Sequence, residues 1–402
     1  MNNHKIISEE KQATYHMMQI KGVGLQSGLA LISYAGTAKE ALALPERDVR
    51  GILPQRSADA FIKGREAADR ESVECLERKH EFRFIPYVSS DYPDKLRNIS
   101  DPPLALFVKG KLPDPECPSV AIVGARACSE YGKLVARQFG KQLGAMGIQI
   151  VSGMAKGIDG IAQQGALDGG GETYAVLGSG IDIVYPPENE SIYYRAMNNG
   201  GVISEYPPGT EAYSKLFPQR NRIISGLADL LLVVEARKRS GTYITVSRAL
   251  EQGKDVFVVP GRITDNLSEG CNYLLTQGAG IAISPQIIAN ELSRNYFYKI
   301  KGNVAEQVDV LPKKEKVERW QDSGINNHVP TKSNGNAGKD TVLRNTILSA
   351  LDVTPIELQI LYQRLQDKIT VSVEELLLEL TRMQMDGIVS SVGNYYQRTY
   401  PL

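Results

Sequence analysis

Apolar residues in the middle of the chain come in short unbroken runs, each closed by glycine or a small polar residue. The runs are 119–123 (SVAIV), 148–152 (IQIVS), 173–177 (TYAVL), 202–204 (VIS), 230–234 (LLLVV), 256–259 (VFVV) and 280–283 (GIAI). Continuous rather than alternating apolar runs predict parallel strands buried on both faces. Between them lie segments of helical period. In 129–146 the residues Leu134, Val135, Phe139 and Leu143 share one face, Ser129 is placed to cap the helix, and Gly147 ends it. Further helices are predicted over 158–167, 218–227, 242–252 and 286–292. Strand alternating with helix predicts an α/β fold, a Rossmann-like doubly wound and mostly parallel sheet.

The flanks read differently. Residues 15–33 (YHMMQIKGVGLQSGLALIS) suggest helix, a Gly22-Val23-Gly24 turn, then helix. The pattern fits either a helix-hairpin-helix (SAM-like) module, whose turn offers amides to a phosphate, or a plain turn in a small helical bundle. Residues 312–340 are polar, lack apolar period and hold the only tryptophan, Trp320, so they predict a disordered linker. Beyond them, three helical stretches and a terminal hairpin fit a winged helix. The expected division is 1–85 N-terminal helical domain, 86–297 Rossmann-like domain, 298–340 linker and 341–402 winged-helix domain.

Composition narrows the chemistry. Forty-six Lys and Arg cancel 46 Asp and Glu in 402 residues, so any nucleic-acid affinity must come from a local basic patch. The opening MNNHKIISEEK has no apolar stretch and no run approaches a membrane span, which predicts a cytoplasmic protein without a membrane partner. Cys75, Cys117, Cys128 and Cys271 show no CxxC spacing. The histidines are His4, His16, His80 and His328, so 119–297 lacks one for a Ser-His-Asp triad or an imidazole metal ligand. No metal site is expected. Twenty-four of the 37 glycines fall within 119–297, directly after the strands, where tight turns approach a ligand.

The first such turn is Gly124-Ala125-Arg126, leading to Ser129. It is not GxGxxG, so it indicates no dinucleotide. Arg126 brings a guanidinium, able to grip a phosphate bidentately or to pair with a carboxylate of the protein. The second turn, Ser152-Gly153-Met154-Ala155-Lys156-Gly157-Ile158-Asp159, resembles an anion cradle; Asp159 either caps the next helix or orients Lys156. Lys215-Leu216-Phe217-Pro218-Gln219-Arg220-Asn221-Arg222 is the densest cationic run, with Pro218 placed to start a helix. Phe217 beside Arg220, Asn221 and Arg222 is the composition of a single-strand groove, unless the Phe is core and the arginines are salt-bridged. Arg237 and Lys238, followed by Arg239, add cations after the fifth run.

These motifs (GAR…SEYG, SGMAKGID, GSGIDIVYPPEN, SEYPPG, FPQRNRIISGL, VVEARKRSGT and VPG…SEGCN) resemble, in order, the DNA-processing protein A (DprA/Smf) family of bacterial competence proteins. The resemblance runs from Tyr92-Pro93 to Gly278-Ala279. It implies a homodimer that binds single-stranded DNA without base specificity, protects it, and loads RecA recombinase onto it during natural transformation. It further implies no cofactor and no enzymatic activity. The family's basic pocket carries over to Arg126, with Lys215, Phe217, Arg220, Asn221 and Arg222 as a second wall. Gln163 stands where the family often has histidine, and Ala125 where it often has serine. The alternatives are a nucleotide-binding protein and a nucleoside-monophosphate-cleaving one. Glu235 with Ser240-Gly241-Thr242 echoes the latter faintly, but the expected PGGxGTxxE run is absent.

Overall fold

The computed structural model describes residues 2–67, 71–294, 337–351, 356–366, 369, 371–386, 388–392 and 395–398. The chain divides into two compact units, Met1–Val308 and Asp309–Leu402. The expected linker lies outside the described residues as far as 336, Trp320 included.

In the first unit the chain opens with six helices: α1 (Asn2–Gln19), α2 (Leu25–Ala35), α3 (Ala38–Leu42), α4 (Glu46–Ile52), α5 (Gln55–Gly64) and α6 (Val73–His80). Leu31, Ile32, Val49, Leu53, Phe61 and Met17 make their shared core. Gly22, at φ 92°, turns α1 into α2, a left-handed conformation that costs glycine little.

Nine strands then form one sheet in the order β1-β2-β6-β5-β4-β3-β7-β8-β9. They are β1 (Arg83–Pro86), β2 (Ala105–Gly110), β3 (Ser119–Val123), β4 (Gln149–Ser152), β5 (Thr173–Val176), β6 (Gly200–Ser204), β7 (Leu230–Val233), β8 (Asp255–Val258) and β9 (Gly280–Ile281). From β6 to β9 all pairings are parallel; β1 and β2 extend one edge antiparallel. All seven apolar runs are strands of this sheet. Neither β1 nor β2 is among those runs: Pro86 closes the short apolar stretch of β1, whereas 104–108 (LALFV) in β2 is a continuous apolar run of the same kind.

The intervening helices are α7 (Asp94–Arg97), α8 (Glu130–Ala145), α9 (Ile158–Asp168), α10 (Glu190–Asn198), α11 (Leu216–Leu227), α12 (Thr242–Glu251), α13 (Glu269–Thr276) and α14 (Pro285–Ser293). The sheet is buried on both faces. On β3, Val120 and Ile122 join one core with α8, α9 and α14, while Ala121 and Val123 join the other with α11 and α12. The N-terminal helices pack on this sheet too: the Tyr15 ring meets Phe84 of β1 edge-on at 5.9 Å. Because β3 has β4 on one side and β7 on the other, the chain winds outward in two directions from the β3/β7 pair. That switch point opens a crevice at the strands' carboxyl ends. No helix among the described residues is long and apolar enough to cross a membrane.

The second unit contains α15 (Ala337–Ala350), α16 (Leu358–Gln366), α17 (Val373–Met385) and the strands β10 (Ile356–Glu357), β11 (Val389–Val392) and β12 (Tyr395–Arg398), which pair in the order β10-β12-β11. Ser372 and Glu375 cap α17 reciprocally.

Candidate nucleic-acid interface

Three loops meet above the switch point. The Ala125 amide donates to the Glu235 carbonyl after β7 at 2.8 Å, and the Ile158 amide to the Ala125 carbonyl at 3.2 Å. Gly157, at φ 78°, sits so close beneath the first turn that a Cβ would lie 2.3 Å from the Ala125 carbonyl oxygen. This stitching leaves Arg126 exposed, with its guanidinium 5.1 Å from the centroid of the Phe217 ring at the start of α11. Tyr185 stacks on Phe217, centroids 5.5 Å apart and planes inclined by 28°. A cation and two aromatic faces thus line one wall of a cavity of about 540 Å³, which Gly124, Ala125, Asn221, Ser240, Thr242 and Thr245 also line. A side niche of about 50 Å³ adds Gly153 and Lys156.

Arg220 and Arg222 do not present themselves to a ligand, which corrects the expectation that they form a wall of the groove. Each is 3% exposed. They follow Phe217 by three and five residues on α11, and the helix turns both inward. Arg220 donates to the Gly153 carbonyl at 2.8 Å and to the Val176 carbonyl, fastening α11 to β4 and β5. Gly153 leaves room for that guanidinium, since a Cβ there would lie 2.6 Å from it; its role is this internal clearance. Burial pulls the Arg220 guanidinium down to about 10, against the charge of Asp159. Burial likewise pushes the Asp159 carboxyl up, while Arg220 and the Gly153 amide hold it down in part. Arg222 grips Glu205 with both terminal nitrogens, at 2.8 and 2.6 Å, and its Nε donates to the Asp101 carbonyl at 2.7 Å. Burial lowers its pKa, but Glu205 and Asp101 together more than offset that and raise it.

Ser129 is also occupied from within. Its hydroxyl caps α8 by accepting the Gly132 amide at 3.0 Å, and its amide and hydroxyl donate to Glu235 at 2.9 and 2.5 Å. Glu235 is 3% exposed and sits so near α8 that a Cβ on Gly132 would lie 2.2 Å from its carboxylate. An internal carboxylate therefore takes the helix N-terminus at which this fold class binds phosphate. Lys156 is exposed and paired with Glu188. Exposed Lys215 lies 5.9 Å from the Tyr213 ring. Arg237 and Lys238 line a separate hollow of about 420 Å³ with Arg239, Asn266 and Glu269, and Lys238 is 3.9 Å from Glu269.

The structure thus gathers Gly124, Ala125, Arg126, Phe217 and Asn221 at one cavity, places Gly153 and Lys156 at its niche, and sets Arg237 and Lys238 apart. Sequence reasoning missed Tyr185, although an aromatic between the third glycine turn and a proline pair was a usable signal. It named Ser240 and Thr242 only for the rival cleavage reading, and it missed Thr245. Among the described residues, no group of three His, Cys, Asp or Glu side chains could hold a metal ion.

The fold and the site define a doubly wound α/β protein with an open cationic and aromatic cavity at its switch point. The family model for DNA recombination-mediator protein A matches residues 83–293, starting at the first residue of β1. DNA processing protein DprA of Streptococcus pneumoniae is 38% identical over 285 residues, covering 70% of this chain and 99% of that protein. Protein Smf of Escherichia coli is 39% identical over 244 residues, 60% of this chain and 64% of that one. The X-ray structure of DNA processing protein A from Streptococcus pneumoniae matches with a TM-score of 0.61 at 36% identity, covering 71% of this chain and 96% of its own. The chain belongs to the DNA recombination-mediator protein A family, also named DprA or Smf.

Proposed function

We propose that this protein binds single-stranded DNA without reading its base sequence, protects it, and loads RecA recombinase onto it during natural transformation. In this reading it works in the cytoplasm as a homodimer, without a cofactor and without turning over its ligand. The observation that carries the DNA part is the Arg126–Phe217–Tyr185 stack at the mouth of the switch-point cavity. Every base has a face that stacks on an aromatic ring, and a guanidinium beside it neutralises phosphate. Family membership supports the mediator role. The rival, cleavage of nucleoside monophosphates, would need a carboxylate free to act, whereas Glu235 is buried and bonded to Ser129.

Fluorescence anisotropy of labelled oligo-dT at two salt concentrations, with a duplex control, tests the reading. Wild-type protein is expected to prefer the single strand and to weaken as salt rises. Arg126→Ala is expected to weaken every oligonucleotide alike and to make the log–log salt slope shallower by about 0.7, one phosphate's share. An unchanged slope would remove Arg126 from the phosphate contacts; no binding at low salt would end the DNA reading.

The second unit fits a winged helix, with β11 and β12 as the wing. The exposed face of α17 carries Val373, Glu374, Glu375, Leu377, Leu378 and Met385 against a single cation, Arg382, which favours a protein partner over a duplex. Deleting 341–402 is accordingly expected to leave affinity for the duplex control unchanged in the same titration.

A further inference from the structure

Four of the helices that follow parallel strands, α8, α9, α11 and α12, differ in what occupies their first turns. The α8 terminus is filled by Glu235. The first turn of α9 carries its own acid, Asp159, which accepts the Gly153 amide at 3.2 Å. On α11, Arg220 and Arg222 turn inward to protein groups. The ten-residue α12, like α11, opens on the cavity with neither a side-chain cap nor an acid in its first turn, but unlike α11 it has no proline there to remove an amide. Its Tyr243 and Ile244 amides turn back onto the carbonyls of Ser240 and Gly241. Those of Gly241 and Thr242 have no partner among the described residues.

A second, independent observation points the same way. The Ser240 hydroxyl is wholly buried at this end of the cavity and has no hydrogen-bond partner. Thr242 and Thr245, 8% and 3% exposed, line the same cavity. Buried hydroxyls are ordinarily satisfied, because each one left unmade costs about 1–3 kcal/mol. That hydroxyl and the two threonines around one uncapped helix start, with Arg126 across the crevice, form a seat fitted to an anion.

We propose that this crevice, between Gly124–Arg126 and the first turn of α12, seats the terminal phosphate monoester of a DNA strand. The inference rests on the single-strand reading above and adds to it a preference for a phosphorylated end. The donor set decides for a monoester. A phosphodiester within a strand offers two non-bridging oxygens and one negative charge. Three hydroxyls, two amides and a guanidinium supply donors enough to surround three oxygens. A monoester offers three oxygens and close to a second charge near neutral pH. Phe217 and Tyr185, on the same cavity wall as Arg126, are then placed to stack the bases of the end so held.

The test compares oligo-dT bearing a 5′-phosphate, a 3′-phosphate or hydroxyls at both ends, by anisotropy with the full chain. One phosphorylated end is expected to bind roughly tenfold tighter than the hydroxyl-ended strand, the scale of one or two charge-assisted hydrogen bonds. Which end gains identifies the strand polarity, and dTMP is expected to compete for the same gain. Thr245→Val keeps the side chain's shape and removes the hydroxyl, so it is expected to bring the ratio of the two affinities towards one. Ser240→Ala provides the same reading should the valine variant fail to fold. Equal affinity for all three strands would overturn the phosphate seat and leave single-strand binding standing. Failure of all three to bind would overturn both.

Discussion

Phe217→Ala is expected to weaken oligo-dT binding by about 1–3 kcal/mol, roughly 5- to 150-fold, the worth of one base–aromatic stacking platform. The loss is expected to exceed that of a phosphate contact because Phe217 serves three neighbours at once. Its ring receives the Arg126 guanidinium, stacks with Tyr185, and packs on Gly178, where a Cβ would approach to 2.6 Å. Without it, Arg126 and Tyr185 lose the surface that holds them apart and aims them into the cavity. The salt dependence should barely change, since no charge is removed, and this separates Phe217→Ala from Arg126→Ala. Phe217→Trp keeps the stacking face and is expected to retain most of the affinity. Anisotropy over a salt series checks both variants. Equal affinities for wild type and Phe217→Ala would take the aromatic wall out of the interface.

That division between side chains that face the ligand and side chains that hold the site marks where sequence reading succeeds. The strands were legible because parallel strands buried on both faces require unbroken apolar runs, as 119–123 and 230–234 show. Arg126 was legible because the turn after the first parallel strand can point only out of the sheet's edge. The run Lys215 to Arg222 carries no such constraint. On a helix, residues three and five apart fall on different faces, so Phe217 can look outward while Arg220 and Arg222 turn inward. Which face is buried depends on partners distant in the chain: Gly153 and Val176 for Arg220, Asp101 and Glu205 for Arg222. Nothing local to 215–222 announces them. The same holds for Ser129, whose pattern as a cap was visible but whose second partner, Glu235, lies 106 residues away. Cations in a run invite a reading as ligand contacts. Of Arg126, Arg220 and Arg222 near this cavity, the structure spends two on its own framework.

Arg222→Ala is accordingly expected to act on stability rather than on the ligand. Its guanidinium is 4% exposed as a side chain and satisfies both oxygens of Glu205, the carbonyls of Asp101 and Gln219, and the Asp101 carboxylate at 3.3 Å. Removing it leaves Glu205, itself 11% exposed in its side chain, as a buried charge without its counter-ion. Breaking such a pair from one side costs about 3–5 kcal/mol, far more than an exposed ion pair contributes. A lower denaturation midpoint with an unchanged denaturant slope is the expected signature, because the folded state loses an interaction without exposing new surface. Glu205→Gln in the same background is expected to recover part of the loss, since it removes the stranded charge and keeps the side chain's volume. Oligo-dT affinity, measured where the variant is still folded, is expected to stay close to wild type. A large loss of affinity with stability intact would instead return Arg222 to the interface. The pair ties α11 to the loop after β6 and to the segment before β2, and so fixes the helix start that carries Phe217. The groove's cationic wall can therefore be thin, one guanidinium over one ring, because the charges beneath it hold both in place.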